Sequence, residues 1–368
     1  MSLLATSARA AGLSPRERVL QVLHGGRADK VPFTLYDNKI YSCTAERLLR
    51  NRGLCIVPRR APFKTHRPNV KTTQSIRWEG DRQWVTTHHE TPVGVLTSLH
   101  EPVGFTNWVH EKLFKTPEDY RALEFFIRDE RYEEDYAAFA QAQRDFGEDG
   151  LIRATIGLEP LQQLQSGGFM DMQQFCLEWM DHRDEVLKLY AALVAGRRQI
   201  YPLVAASPAT HANYGGNVTP EVVSNKMFEQ YYLPHYHEAA EALHRGGKRI
   251  GCHFDANCKR LAKLIGQADL DYIEAFTPAP DTDMTLGEAR AAWPNRVLWI
   301  NFPSSVHLRP DSEVAATAVE LLEQLDRLDG ILFAVTEDMP PERWQGSCTA
   351  IMDGLERHAR EHPDRYAP

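Results

Sequence analysis

The sequence predicts a parallel (β/α)8 barrel, the TIM-barrel class. Eight short apolar segments recur along the chain. Helical patterns with recognisable ends separate most of them, and polar residues collect where the segments stop. At 368 residues the chain can bury a large core as one unit, and 43% hydrophobic with 25% charged residues is an ordinary globular balance. The segments are 31–37, 54–59, 151–157, 208–213, 248–255, 271–276, 297–302 and 331–337.

The first helix is expected at Ser14-Pro15-Arg16-Glu17, where serine caps, proline takes the first turn and glutamate closes a capping box. Ser224 is expected to cap a helix running to about Arg245 and stopped by Gly246-Gly247, and Thr285-Leu286-Gly287-Glu288 repeats the capping-box pattern. Between the second and third strands lies an insertion at about 65–147. It reads as a small β-ribbon, from Ser75–Trp78, Gln83–Thr87 and Val95–Leu99 around the turn Thr91-Pro92-Val93-Gly94, followed by helices beginning near Thr116-Pro117-Glu118-Asp119. The whole chain, 1–368, is expected to be one domain. No Gly-x-Gly-x-x-Gly loop follows the first strand, which argues against a dinucleotide fold.

The net charge of −8 without a Lys/Arg stripe argues against a nucleic-acid partner. Six cysteines lie far apart without a CxxC pair, as expected of reduced thiols in a cytoplasmic protein. No apolar run reaches the roughly 18 residues of a membrane span. The Ala-rich start, interrupted by Arg9, reads as a frayed terminus rather than a signal peptide. Aromatic positions in the insertion suit a homodimer contact.

The densest chemistry is Gly251-Cys252-His253-Phe254-Asp255-Ala256-Asn257-Cys258. Ile250, Cys252 and Phe254 alternate with Gly251, His253 and Asp255, so His253 and Asp255 share one face at a strand's C-terminal end. The same alternation brings Asp37, His211, Asn213, Glu274, Asn301 and Glu337 to strand ends, with Glu159 just past the third. So many carboxylates in one mouth repel each other unless a cation compensates, and a bound metal is the simplest one. Each has a plain alternative. Asp37 and Asp255 can be helix caps, His211 a core histidine, and Cys252 and Cys258 packing residues. Tyr36, Tyr214 and Trp299 are core aromatics by default, with Tyr214 and Trp299 near the mouth.

Ser14-Pro15-Arg16-Glu17-Arg18-Val19-Leu20, Lys30-Val31-Pro32-Phe33, Thr91-Pro92-Val93-Gly94, Thr219-Pro220-Glu221-Val222-Val223 and the run from Tyr231 to Phe302 resemble the uroporphyrinogen decarboxylase superfamily. That superfamily includes cobalamin-dependent methyltransferases. The resemblance spans nearly the whole chain and implies the same barrel. It also implies the branch. The arginine-rich segment with which true decarboxylases pair substrate carboxylates is here Leu35-Tyr36-Asp37-Asn38-Lys39-Ile40, with no arginine. In the methyltransferase branch zinc is held by His-x-Cys and a later Cys. Here His253 keeps the first position, Asp255 replaces the first Cys, and Glu337 stands near the later one.

These readings imply a metal-assisted methyltransferase that moves a methyl group from a small O- or N-methylated donor to a corrinoid. Zinc or another divalent metal would sit on His253, Asp255 and Glu337, with Asp37 or Glu274 managing a proton or positive charge. Tyr36, Asn38, Glu159, His211, Asn213, Tyr214 and Asn301 are the candidates for substrate contact. No Asp-x-His-x-x-Gly corrinoid signature is present, so the corrinoid would arrive free or on a separate protein. The alternatives are a decarboxylase using Asp37, and a non-catalytic tetrapyrrole- or corrinoid-binding protein.

Overall fold

The computed structural model describes residues 12–104, 106–216, 218 and 220–367. The expectation about the chain's start, and Thr219 of the Thr-Pro-Glu-Val-Val motif, lie outside the described residues.

All eight expected strands form, seven shortened and the fourth shifted one residue past its expected end: β1 (Phe33–Tyr36), β2 (Cys55–Val57), β3 (Arg153–Gly157), β4 (His211–Tyr214), β5 (Arg249–His253), β6 (Tyr272–Phe276), β7 (Val297–Asn301) and β8 (Ile331–Val335). Every pairing between them is parallel, in the order β2-β1-β8-β7-β6-β5-β4-β3. The ring closes where Arg59–Arg60, just past Pro58, pairs with β3. Ile56 and Pro58 carbonyls accept from the Leu151 and Arg153 amides at 2.9 Å each, so the proline sits in the ladder using only its acceptor. The expected (β/α)8 barrel is the observed fold.

Inside the barrel, Tyr272, Trp299, Leu332 and Ala334 pack with Tyr36, Cys55 and Val57, and Val19, Val22 and Leu23 of helix Pro15–Leu23 plug the end where the strands begin. That helix starts with the expected capping box of Ser14 and Glu17. Tyr272 reaches across to donate to the Ala212 carbonyl at 2.8 Å. Its ring lies where a side chain at position 251 would be, since a Cβ there would come within 2.2 Å of Tyr272 Cε2. Gly251→Ala should therefore destabilise the fold by about 1–3 kcal/mol through overpacking. Urea unfolding checks this, and an unchanged midpoint would show that the ring yields freely.

Two expected elements differ in extent. The helix from Ser224 is broken: Asn225–Tyr231 and Leu233–Arg245 meet at Tyr232, because Pro234 cannot donate to the preceding turn. The ribbon is a four-stranded antiparallel meander of Lys71–Glu79, Arg82–Thr91, Gly94–Val103 and Thr106–Glu111, larger than the three short runs suggested. Thr91 Oγ1 accepts from the Val93 amide and donates to the Gly94 carbonyl, which fixes the expected turn. Trp78 and Trp108 stand exposed on this sheet. Among the described residues no helix is long and apolar enough to cross a membrane.

Candidate metal centre at the barrel mouth

The site is built around Glu274, which β6 points into the barrel and which is fully buried. Four side chains from four other strands converge on its two oxygens. Arg153 of β3 lies 2.6 Å from Oε1, which also accepts from the Tyr36 hydroxyl of β1. His253 Nδ1 of β5 lies 2.8 Å from Oε2, and Asn213 Nδ2 of β4 donates to the same oxygen at 3.1 Å. Burial alone would raise the Glu274 pKa. The Arg153 and His253 charges overrule it and hold the carboxyl well below the usual carboxylate range. Burial likewise pushes the Tyr36 hydroxyl up, so it remains a donor.

The backbone is strained beside this carboxylate. Ala275 has φ 57°, and the register with β7 shifts between Glu274 and Phe276, so a bulge separates the inward carboxylate from the outward ring. Across the mouth, Gly216 has φ +86°, and a Cβ there would lie 1.8 Å from the His253 carbonyl oxygen. Only glycine lets the loop after β4 pass so closely over the site.

With Nδ1 held by Glu274, His253 turns Nε2 outward to Asp255 Oδ2 at 3.4 Å and Glu337 Oε1 at 3.9 Å. One nitrogen and two carboxylate oxygens thus lie within 4.8 Å of one another. Their spacing suits three ligands about 2 Å from a common ion, with a coordination position left open. A carboxylate bonded to the far nitrogen of a ligating imidazole is the usual brace of such sites. Glu337 is pushed up by burial and then by the Asp255 charge, the like-charge conflict that a cation relieves. The donor set fits zinc.

Without a metal the imidazole carries the compensating proton. Burial lowers the His253 pKa, but the Glu274 charge and hydrogen bonds to Asp255 and Glu274 outweigh it and raise it to about 10. The folded state then binds a proton that the unfolded chain releases near its ordinary value. The stabilisation is complete below about pH 6.5 and is lost as pH rises toward 10. Chelator-treated protein should therefore melt at lower temperature as pH rises across this window, and His253→Gln should flatten that slope. An equal slope in both proteins would place the proton elsewhere.

The structure distributes the remaining sequence candidates over different places. Asn301 is buried at the mouth, donating to Thr277 Oγ1 at 3.1 Å and accepting from the Thr336 amide at 2.9 Å. His211 points inward lower down, between Tyr272 and Trp299, and burial drops its pKa to about 3, so it is a neutral core histidine. Asp37 does not join the cluster. It lies exposed in the turn Asp37–Lys39, on a side cavity of about 360 Å³ shared with Glu46 and Arg50. Asn38 is exposed beside it and accepts from Arg59 at 3.4 Å. Glu159 and Tyr214 face the helices instead: Glu159 accepts from Tyr236 at 2.7 Å and Cys252 at 3.1 Å, and Tyr214 bonds Tyr201. The mouth expected to gather carboxylates also holds arginine. Arg153 is buried in it, and Arg59 stacks on Tyr36 at 4.1 Å. Arg153 was legible, since it alternates with Ile152, Ala154 and Ile156 on a strand read as inward-and-outward.

A larger cavity, about 840 Å³, opens at the opposite end of the barrel beside Leu23, His244 and Asp271. Chemistry in this fold class sits at the strands' C-terminal ends, so the mouth is the candidate site.

No family model and no curated protein matches the sequence. Among solved structures the chain is similar to a methyltransferase from Methanosarcina mazei, with TM-score 0.56 and 10% identity over 94% of this chain and 99% of that one. A structure of the IOLI protein with a zinc atom overlaps more weakly, with TM-score 0.31 and 10% identity over 63% of this chain and 82% of that one. At this identity the first likeness is one of fold: the chain shares the (β/α)8 architecture of the Methanosarcina methyltransferase from end to end.

Proposed function

We propose that the chain is a metal-assisted methyltransferase that takes a methyl group from a small O- or N-methylated donor and passes it to a reduced corrinoid supplied in trans. The observation that carries the reading is the convergence of His253 Nε2, Asp255 and Glu337 at the barrel mouth, with His253 braced from behind by Glu274. The sequence resemblance and the Methanosarcina protein's activity supply the reaction class.

Divalent zinc held there would act as a Lewis acid on the donor's oxygen or nitrogen, which favours departure of an alkoxide or amine. The chain's own residues orient and insulate. Glu274, held by three hydrogen bonds and the Arg153 ion pair, fixes the imidazole and keeps Nδ1 protonated. In this reading Glu274 acts as a positioning residue rather than as the group that manages the proton. Asn301 and Tyr36 present a rigid polar floor. The methyl carbon leaves without the bonding pair, which stays on the heteroatom, and that atom takes its proton from water at the half-exposed Glu337 rim. The proposed acceptor is a second substrate, free or on a separate corrinoid protein, because the sequence carries no Asp-x-His-x-x-Gly signature.

The test mixes zinc-loaded protein, cob(I)alamin and a panel of methoxylated aromatics and methylated amines, and follows methylcobalamin by absorbance. Turnover of at least one donor is expected, and uroporphyrinogen should remain unchanged. Silence across the panel with release of carbon dioxide from a carboxylated substrate would transfer the assignment to a decarboxylase. The position of Asp37 outside the cluster weighs against that alternative.

A further inference from the structure

A second group of ligand atoms lies far from the mouth, where the last two long helices pack. His358 and His362 are one turn apart at the C-terminal end of helix Trp344–Glu361, and Glu323 ends the neighbouring helix Asp311–Glu323. One ligand atom from each lies within 4.8 Å of the others. His358 Nε2 is 2.8 Å and His362 Nε2 3.4 Å from the same oxygen, Glu323 Oε1.

Three positive or hydrogen-bearing groups, His358, His362 and Arg365, crowd one oxygen of Glu323. The fully buried His358 ring is held at Nδ1 by the Tyr366 hydroxyl at 2.6 Å, which aims Nε2 at Glu323. The 2.8 Å contact to the carboxylate requires a hydrogen on Nε2. Arg365 Nη1 lies 3.1 Å from the same nitrogen and donates to Glu323 Oε1 at 3.4 Å, so a guanidinium supplies the positive charge facing the carboxylate. It is crowded against the Nε2 hydrogen to do so. A divalent ion in place of Arg365 Nη1 relieves the crowding, because a lone pair on each imidazole and one on the carboxylate then point at a single positive centre. Arg365 can yield its Nη1 contact and remain anchored, since Nη2 is bonded to the Leu322 and Leu325 carbonyls.

We infer that Glu323, His358 and His362 form a second divalent-metal site, with a His2Glu donor set suited to zinc and one position open to water. Two histidines at i and i+4 present both nitrogens on one helix face. The helix C-terminus adds its negative dipole end, which favours a cation. Tyr366 is the outer partner that fixes the His358 ring, as metal-bound imidazoles generally require. Glu323 and His362 are both partly exposed, so the ion has a path in from solvent. The bound ion would tie the chain's final turn, Pro363–Arg365, to both helices.

The test uses the full chain and zinc alone as probe, with His253→Ala as background so that the barrel-mouth site does not contribute. Calorimetric titration of this variant is expected to show one zinc per chain. Adding His362→Ala, or separately Glu323→Gln, should remove that equivalent, and both changes fall at partly exposed positions that the fold tolerates. Arg365→Gln should tighten binding by roughly tenfold, because a competing cation is gone. Zinc should also slow proteolysis of the C-terminal turn in the His253→Ala protein but not when His362→Ala is added. The inference is overturned if His253→Ala binds no zinc, if the added substitutions leave its affinity unchanged, or if Arg365→Gln weakens binding.

Discussion

Glu274→Ala should cost about 3–5 kcal/mol of folding stability, the range for removing one partner of a buried ion pair. Arg153 would be left as a guanidinium 4% exposed with no carboxylate beside it, and Tyr36 and Asn213 would each lose their acceptor. Glu274→Gln should cost less, since an amide oxygen still accepts, but it leaves two positive neighbours facing a neutral group. Replacing both members of the pair, Glu274→Leu with Arg153→Met, should recover much of the loss, because the guanidinium goes with its partner and His253 keeps Asp255. Urea unfolding of the wild type, Glu274→Leu, Arg153→Met and the double variant measures the coupling. If the double variant is as unstable as the sum of the single ones, the pair is not the unit that organises the barrel interior.

The second large effect is on chemistry. His253→Ala should remove zinc from the mouth and lower methyl transfer by more than about 100-fold, whereas Glu274→Gln, acting through the brace on Nδ1, should weaken zinc binding by about 10–100-fold. The order matters. A structural network of hydrogen bonds would make Glu274 the more damaging position in activity as well as in stability. A metal centre makes His253 the more damaging position for activity while Glu274 remains so for stability. Metal content and turnover measured on both variants separate the two accounts.

The parts legible in the sequence were those in which polar and apolar residues alternate. β5 and the two residues after it read Ile-Gly-Cys-His-Phe-Asp from Ile250, and period two puts His253 and Asp255 on the same face. β1 reads Phe-Thr-Leu-Tyr: Thr34 and Tyr36 face the interior, bonded to Trp299 and Glu274, while Phe33 and Leu35 face the helices, so Asp37, one residue past Tyr36, falls off the inner face. Glu159 was misplaced for a different reason. The register of β3 against β4 shifts between Thr155 and Gly157, and Gly157 has φ +106°, so the chain leaves the strand on the helix side. A local irregularity of one residue reverses every later assignment. The Arg153–Glu274 pair joins residues more than a hundred positions apart, and only the closed barrel reveals that the two inward residues meet.

The central claim is that His253, Asp255 and Glu337 hold a metal ion. Anomalous diffraction at the zinc edge, from crystals of chelator-free protein grown with zinc, tests it directly. The account predicts a peak at about 2.0–2.1 Å from His253 Nε2 and about 2.0–2.2 Å from oxygens of Asp255 and Glu337, with the His253–Glu274 bond retained. No peak at that position, with His253 Nε2 bonded directly to Asp255 in the presence of zinc, would contradict it and leave the mouth a hydrogen-bonded polar cluster.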